Sequence, residues 1–147
     1  MSTIRDAIVV DATPEEVWRV VSDPRNLPRW SRHIKAILAA PDRELEAGDS
    51  YRLELRFLGV SAEVRAEVKE LDRPRFSEVA LSGPIDGIVR THVRPIGAGR
   101  ARLEHEVEYR FPGGALGKVA ARAVRLMGAT LMLRRGLRAQ KETVEHP

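Results

Sequence analysis

Four histidines, two tyrosines and no cysteine bound the chemistry open to this chain of 147 residues. Without a thiol there is no thiolate nucleophile, no disulfide frame and no sulfur-based metal site. The histidines, His33, His92, His105 and His146, fall on different segments and show no metal-ligand spacing. The glycines around 113–117 lack the Lys-Ser/Thr ending of a phosphate loop, so Gly117-Lys118-Val119 is not one. No Gly-x-Ser-x-Gly nucleophile elbow occurs. Serine-hydrolase and metallohydrolase chemistry is unsupported, and neither a metal nor a cofactor is expected.

His105 is the sharpest candidate. Its segment, Arg102–Phe111, places Leu103, His105, Val107, Tyr109 and Phe111 on one face and only charged residues on the other. An imidazole between Leu103 and Val107 needs a partner. It either orients a ligand carbonyl or acts as a general base, or it is a core histidine bonded to the protein itself. Tyr51 and Tyr109 face inward by the same parity, each with an apolar body and a hydroxyl handle for a ligand or for water at a rim. Thr91, with Val89 and Val93, adds an inner polar group and turns His92 outward.

Three charged residues are harder to place. Glu78 lies on a segment that alternates as Phe76, Glu78, Ala80 or as Ser77, Val79, Leu81. The second set is more apolar, so Glu78 is expected outside; inside, it would be a buried carboxylate with a raised pKa and a catalytic candidate. Asp6 interrupts the apolar side of the first strand. Arg134 falls in line with Leu116 and Met127 on a helical wheel. It marks where the helix leaves the sheet, or it offers a cation to an acidic ligand group.

The elements that must hold these residues follow from patterning. Ile4, Ile8 and Val10 define a half-buried strand from Ile4 to Val10. Thr13-Pro14-Glu15-Glu16 is a helix start: a cap, a proline suited to the first helical position and the acid of a capping box. Val17, Trp18, Val20 and Val21 give that helix its buried face. Asp23 offers a second cap for a short helix ending near Pro28, and Trp30 leads into a weaker strand over Ile34–Ala39. Tyr51–Phe57 alternates apolar and charged residues, and Leu58-Gly59 fits a two-residue hairpin turn. The next strand turns Val60, Ala62, Val64, Ala66 and Val68 inward. Strands over Phe76–Ser82, Ile88–Arg94 and Arg102–Phe111 complete a meander whose outer face is charged and suited to cross-strand pairs. Its inner face needs a cover, and one long helix from Ala115 to about Val144 is expected to supply it. Gly128 and Gly136 inside that helix permit a bend or a close approach, at about 1 kcal/mol each relative to Ala.

The length fits one domain over residues 1–147 with one core, with no linker or repeat. No apolar run approaches the roughly 18 residues that span a bilayer. The N-terminus alternates and carries an early acid, unlike a signal peptide, so a cytoplasmic location is expected, with no stable membrane insertion. The net charge of +4 is uneven: residues 112–147 carry seven Lys/Arg and two Glu, a net +5. Such a segment either attracts an anionic partner or is the solvated face of a helix. It has no aromatic residue, which argues against nucleic acid.

The order strand, two short helices, six strands, long helix resembles the START-like (SRPBCC) superfamily, which includes the birch-pollen-allergen proteins and the polyketide cyclase/dehydrase family. The residues that carry the resemblance are Val10-Asp-Ala-Thr-Pro-Glu-Glu-Val-Trp18 and Ser22-Asp-Pro-Arg-Asn-Leu-Pro-Arg-Trp30. Glu70-Leu-Asp-Arg-Pro-Arg75 and Phe111-Pro-Gly-Gly…Leu-Gly117 add to it. The resemblance covers nearly the whole chain and implies an α+β helix-grip fold, a curved sheet of about seven antiparallel strands around the C-terminal helix. It also implies a small apolar ligand between the two, such as a lipid, a polyketide or an aromatic molecule. Trp18 and Trp30 are, in such proteins, more often packing residues than ligand contacts. Strand parity selects Tyr51, Leu53, Leu55, Val64, Val89, Thr91, His105, Tyr109 and, from the helix, Met127 as the expected ligand-binding wall. Binding or carriage of that ligand is one reading. A cyclase, aromatase or dehydratase with His105 and Tyr51 or Tyr109 in proton transfer is another, and a protein-interaction module a third. The chain is expected to be a monomer or a homodimer.

Overall fold

The structure is a computed structural model that describes residues 2–147, without the side chains of Ala115 and Leu116. Leu116, in line with Met127 on the helical wheel of the last helix, therefore lies outside the described side chains. The elements are β1 (Ser2–Val10), α1 (Pro14–Val21), a 3-10 turn (Pro24–Asn26), α2 (Leu27–Trp30), β2 (Ile34–Ala39), β3 (Ser50–Phe57), β4 (Val60–Asp72), β5 (Phe76–Ser82), β6 (Asp86–Gly97) and β7 (Arg100–Arg110), followed by α3 (Ala115–Met127) and α4 (Ala129–Glu145). Seven antiparallel strands form one sheet in the order β1-β7-β6-β5-β4-β3-β2. Each neighbour from β2 to β7 follows in sequence, and β1 closes the row against β7. This is the helix-grip architecture, with two short helices after β1.

Local chemistry explains the elements. The Glu16 backbone N–H donates to Thr13 Oγ1 at 3.2 Å, so Thr13 caps α1 ahead of Pro14. Asp23 accepts from the Arg25 N–H at 3.0 Å and starts the 3-10 turn in the same way. Between β3 and β4 both loop residues are left-handed, Leu58 at φ 48° and Gly59 at φ 82°. That geometry matches the right-handed strand twist, but for a leucine it costs about 1 kcal/mol. A bulge at Lys69 shifts the β4–β5 register, so that Val68 pairs Val79 while Leu71 pairs Ser77. The inward set therefore runs Val64, Ala66, Val68 and then Leu71, one residue out of strict alternation.

The outer face of the sheet is an ion-pair lattice. Arg90 on β6 meets Glu78 at 2.8 Å, Glu106 at 2.9 Å and Glu108 at 2.8 Å, and Arg5 also reaches Glu106. Glu78 thus belongs to the outer face, with Ser77, Val79 and Leu81 inside. His92 also faces outward, its ring 4.9 Å from that of Phe76.

The long C-terminal helix is two helices. Gly128 at φ 84°, ψ 121° separates them, a conformation that L-residues rarely adopt and that a continuous helix excludes. α4 lies along the edge strand β1 and is tied twice to it and once to the residue that follows it. Arg134 grips Asp6 with Nη2–Oδ1 at 2.8 Å, Lys141 Nζ donates to the Val9 carbonyl at 2.9 Å, and Glu145 accepts from the Asp11 N–H at 2.7 Å. Arg134 neither leaves the sheet nor faces a ligand; it pairs with Asp6. That partnership accounts for both residues that broke their elements' patterns.

Candidate functional site

Sheet and helices enclose a cavity of about 360 Å³, within the range of small-molecule sites. Inward parity builds most of its wall. β3 supplies Tyr51, Leu53, Leu55 and Phe57; β4 supplies Val64, Val68 and, through the bulge, Leu71; β5 supplies Ser77, Val79 and Leu81. β6 adds Val89 and Thr91, and β7 adds His105 and Val107. Trp18 and Val21 of α1, Leu27 and Trp30 of α2, and Met132, Leu133 and Gln140 of α4 close the other side. The wall is mostly hydrocarbon. Its charged members are Glu44 and Arg73, which pair with each other at 2.8 Å where the β2–β3 loop meets the β4–β5 turn.

His105 sits at the buried base of this wall. Nδ1 lies 2.9 Å from Thr91 Oγ1, its register partner on β6, and Nε2 lies 2.7 Å from Gln140 Oε1 on α4. The two contacts fit a neutral imidazole that donates from Nε2 to the Gln140 amide oxygen and accepts the Thr91 hydroxyl proton at Nδ1. Burial holds its pKa below the usual histidine value, a shift opposed by the bond to Gln140. Both nitrogens are thus used within the protein, and the ring ties β6, β7 and α4 together.

Tyr51 is the opposite case. It is buried on β3, and its hydroxyl makes no hydrogen bond to any described residue. Desolvation pushes its pKa up to about 12, so at neutral pH it is a hydrogen-bond donor and not a phenolate base. Two buried polar atoms of wall residues have no partner among the described residues, Trp18 Nε1 and His33 Nε2. His33 stacks on Phe57, with centroids 4.3 Å apart, and its Nδ1 lies 3.2 Å from the Arg56 carbonyl. Trp30 donates from Nε1 to Thr143 Oγ1 at 3.3 Å.

Of the nine residues that parity and the resemblance selected, Tyr51, Leu53, Leu55, Val64, Val89, Thr91 and His105 line this cavity. Tyr109 and Met127 do not. Tyr109 has the inward parity but lies past the end of the cavity, where its ring meets Phe111 edge-on at 5.7 Å. Met127 ends α3, and the break at Gly128 hands the cavity face to Met132, Leu133 and Gln140 of α4. Sequence reasoning missed His33, Gln140 and Leu45. Gln140 had a signal, since a neutral amide stands one turn beyond the apolar Leu137; His33 and Leu45, outside the alternating strands, had none. Among the described residues no group of three or more His, Asp or Glu could hold a metal ion.

A curved seven-stranded antiparallel sheet gripping C-terminal helices over an apolar cavity defines the START-like class. The family described as polyketide cyclase / dehydrase and lipid transport matches residues 1–145, and the chain belongs to it. Solved structures agree on the fold. A conserved protein from Geobacillus kaustophilus superposes with a TM-score of 0.75 at 21% identity, covering 98% of this chain and 95% of its own. A START superfamily protein from Mycobacterium smegmatis gives 0.68 at 20% identity, covering 97% of each chain. The di-domain ARO/CYC protein BexL of the BE-7585A biosynthetic pathway gives 0.68 at 25% identity, covering all of this chain and 48% of its own. No curated protein sequence matches the chain significantly.

Proposed function

We propose that this protein binds and carries a small, largely apolar molecule in the cavity between sheet and helices, without catalysing its conversion. The observation that carries the reading is the state of the polar groups on an otherwise hydrocarbon wall. His105, the one inner histidine that strand parity picks out, is bonded at both nitrogens within the protein. Tyr51 keeps a free, protonated hydroxyl. Such a wall binds by desolvation and orients by one donor. Burying roughly 300 Å² of ligand surface would contribute about 7 kcal/mol before ordering costs, enough for reversible carriage. Tyr51 would donate to a ligand carbonyl or hydroxyl, so lipids, polyketides and aromatic molecules with one oxygen function near an apolar body fit best.

The family description and the ARO/CYC relative favour a second reading, a cyclase or dehydratase that folds a poly-β-keto chain in the same cavity. Its contribution would be positioning, with His105 or Tyr51 moving a proton. Against it stand the double engagement of His105 and the raised pKa of Tyr51.

Native mass spectrometry of the protein purified from its own host tests the carrier reading. A copurifying apolar molecule of unchanged structure is the expected result. Loss of that adduct in a Val79→Phe variant, which fills the cavity, would locate it. Absence of binding across lipid, fatty-acid and aromatic polyketide panels would sink the reading; turnover of a polyketide that disappears in His105→Ala would replace it with the enzymatic one.

A further inference from the structure

We propose that the break between α3 and α4 is a docking surface for an anionic lipid bilayer. Residues 115–141 carry seven Lys/Arg and no Asp or Glu. Arg134 is engaged by Asp6 and Lys141 by Glu145. Lys118, Arg122, Arg125, Arg135 and Arg138 are exposed and have no ion pair among the described residues. On the outer face of the sheet, by contrast, Arg5, Arg90 and Arg110 all meet carboxylates. On these two helices the unpaired cations follow one another with no carboxylate between them.

Exposed leucines share the surface. Leu126 is 74% exposed, more than any other large hydrophobic residue described, and Leu131 is 45% exposed. Leu126 stands one turn after Arg122 and beside Arg125. Leu131 stands one turn before Arg135 and two before Arg138. Each side of Gly128 thus presents a leucine within a cationic stripe. The β3–β4 hairpin packs against α3 through Phe57, Ala120 and Ala123, and its tip carries Leu58, 72% exposed. Leu58 occupies a left-handed turn position where Asn or Gly would be free of strain, so neither burial nor backbone preference asks for a leucine there.

The chemistry selects the occupant. A second copy of this chain would set cations against cations across a two-fold interface. A nucleic acid would engage the arginines but gain nothing from the leucines, and the segment has no aromatic for base stacking. A bilayer with anionic headgroups supplies phosphate for the arginines and hydrocarbon for the leucines in one layer. The binding proposed is peripheral; among the described residues no helix is long and apolar enough to cross a membrane. The place also suits exchange of a ligand. Phe57 and Met132 line the cavity and pack in the same cluster as Ala120 and Ala123, so α3 covers one end of it. The surface consists of exposed residues alone and stands whether or not the cavity carries a ligand.

Co-sedimentation with vesicles of phosphatidylcholine alone, or with about 30 mol% phosphatidylglycerol, tests this at about 0.1 M and 0.5 M salt. The expected result is binding to the anionic vesicles at least about tenfold tighter than to the neutral ones, weakened at the higher salt. Arg122→Ala with Arg125→Ala should weaken it about 25-fold, about fivefold for each cation removed. Leu126→Ser should weaken it about tenfold at either salt concentration. All these positions are solvent-exposed, and unchanged circular dichroism and melting would show that the variants fold. Equal affinity for both vesicle types, no sedimentation with either, or variants that bind like the parent would each overturn the proposal. Tighter binding to duplex DNA than to the anionic vesicles would also overturn it, in favour of a nucleic-acid surface.

Discussion

An imidazole held between β6, β7 and α4 makes folding sensitive to pH in a way that can be signed. Burial lowers the His105 pKa below 6.5, so the unfolded chain takes up its proton first as pH falls. Its share of stability is therefore complete above about pH 6.5 and declines as the solution is acidified below that. Urea midpoints should fall between pH 7.5 and about 5.5, and a His105→Gln variant should flatten that decline. Gln140→Leu, measured at neutral pH, should cost about 1–3 kcal/mol because the Nε2–H loses its acceptor in a dry site. Tyr51 predicts the opposite response. Its hydroxyl has no partner among the described residues, so Tyr51→Phe should leave stability unchanged or raise it by up to about 1 kcal/mol. The same change should weaken a ligand that presents an oxygen acceptor by about tenfold, read by titration calorimetry. A structural hydroxyl would give the reverse pattern, lost stability and intact binding.

The elements show where reading by alternation works and where it stops. β3 obeys strict parity: Tyr51, Leu53 and Leu55 reach the cavity as expected, and Phe57, of the same parity, joins them. β4 obeys it only as far as Val68, because the bulge at Lys69 inserts one residue and turns Leu71 inward. Nothing local marks that bulge; it is set by the pairing of Leu71 with Ser77 on a neighbouring strand. The C-terminal helix shows a different limit. Gly128 was visible as a weak point, but only the packing of α4 on β1 and of α3 on β3 and β4 decides that the helix breaks there. Gly87 offers a test at this scale. A Cβ at that position would stand 2.5 Å from the Glu108 carbonyl oxygen of the adjacent strand. Gly87→Ala should therefore lower stability by about 1–3 kcal/mol, measured by thermal or urea unfolding, with no side-chain contact removed.

In the whole molecule, two features divide what local pattern can and cannot reveal. Asp6 and Arg134 each broke the pattern of its own element, and each was legible as an anomaly. Their solution is mutual, across 128 residues of sequence, and nothing in either segment names the other. Arg134→Ala should therefore lower stability and raise the Asp6 pKa, which the guanidinium now holds below the ordinary carboxylate value; carboxylate NMR titration would show it. Strand parity, the capped helix after β1, the charged outer face and seven residues of the cavity wall are legible along the chain, because these depend on periods of two and 3.6 residues and on caps within a single turn. Packing between distant segments sets the rest: His105 is engaged and Tyr51 free, the cavity stops short of Tyr109, and Met132 and Gln140 face it in place of Met127. Those outcomes depend on which atoms from distant segments come within about 3 Å of one another, a distance that periodicity along one strand or helix does not encode.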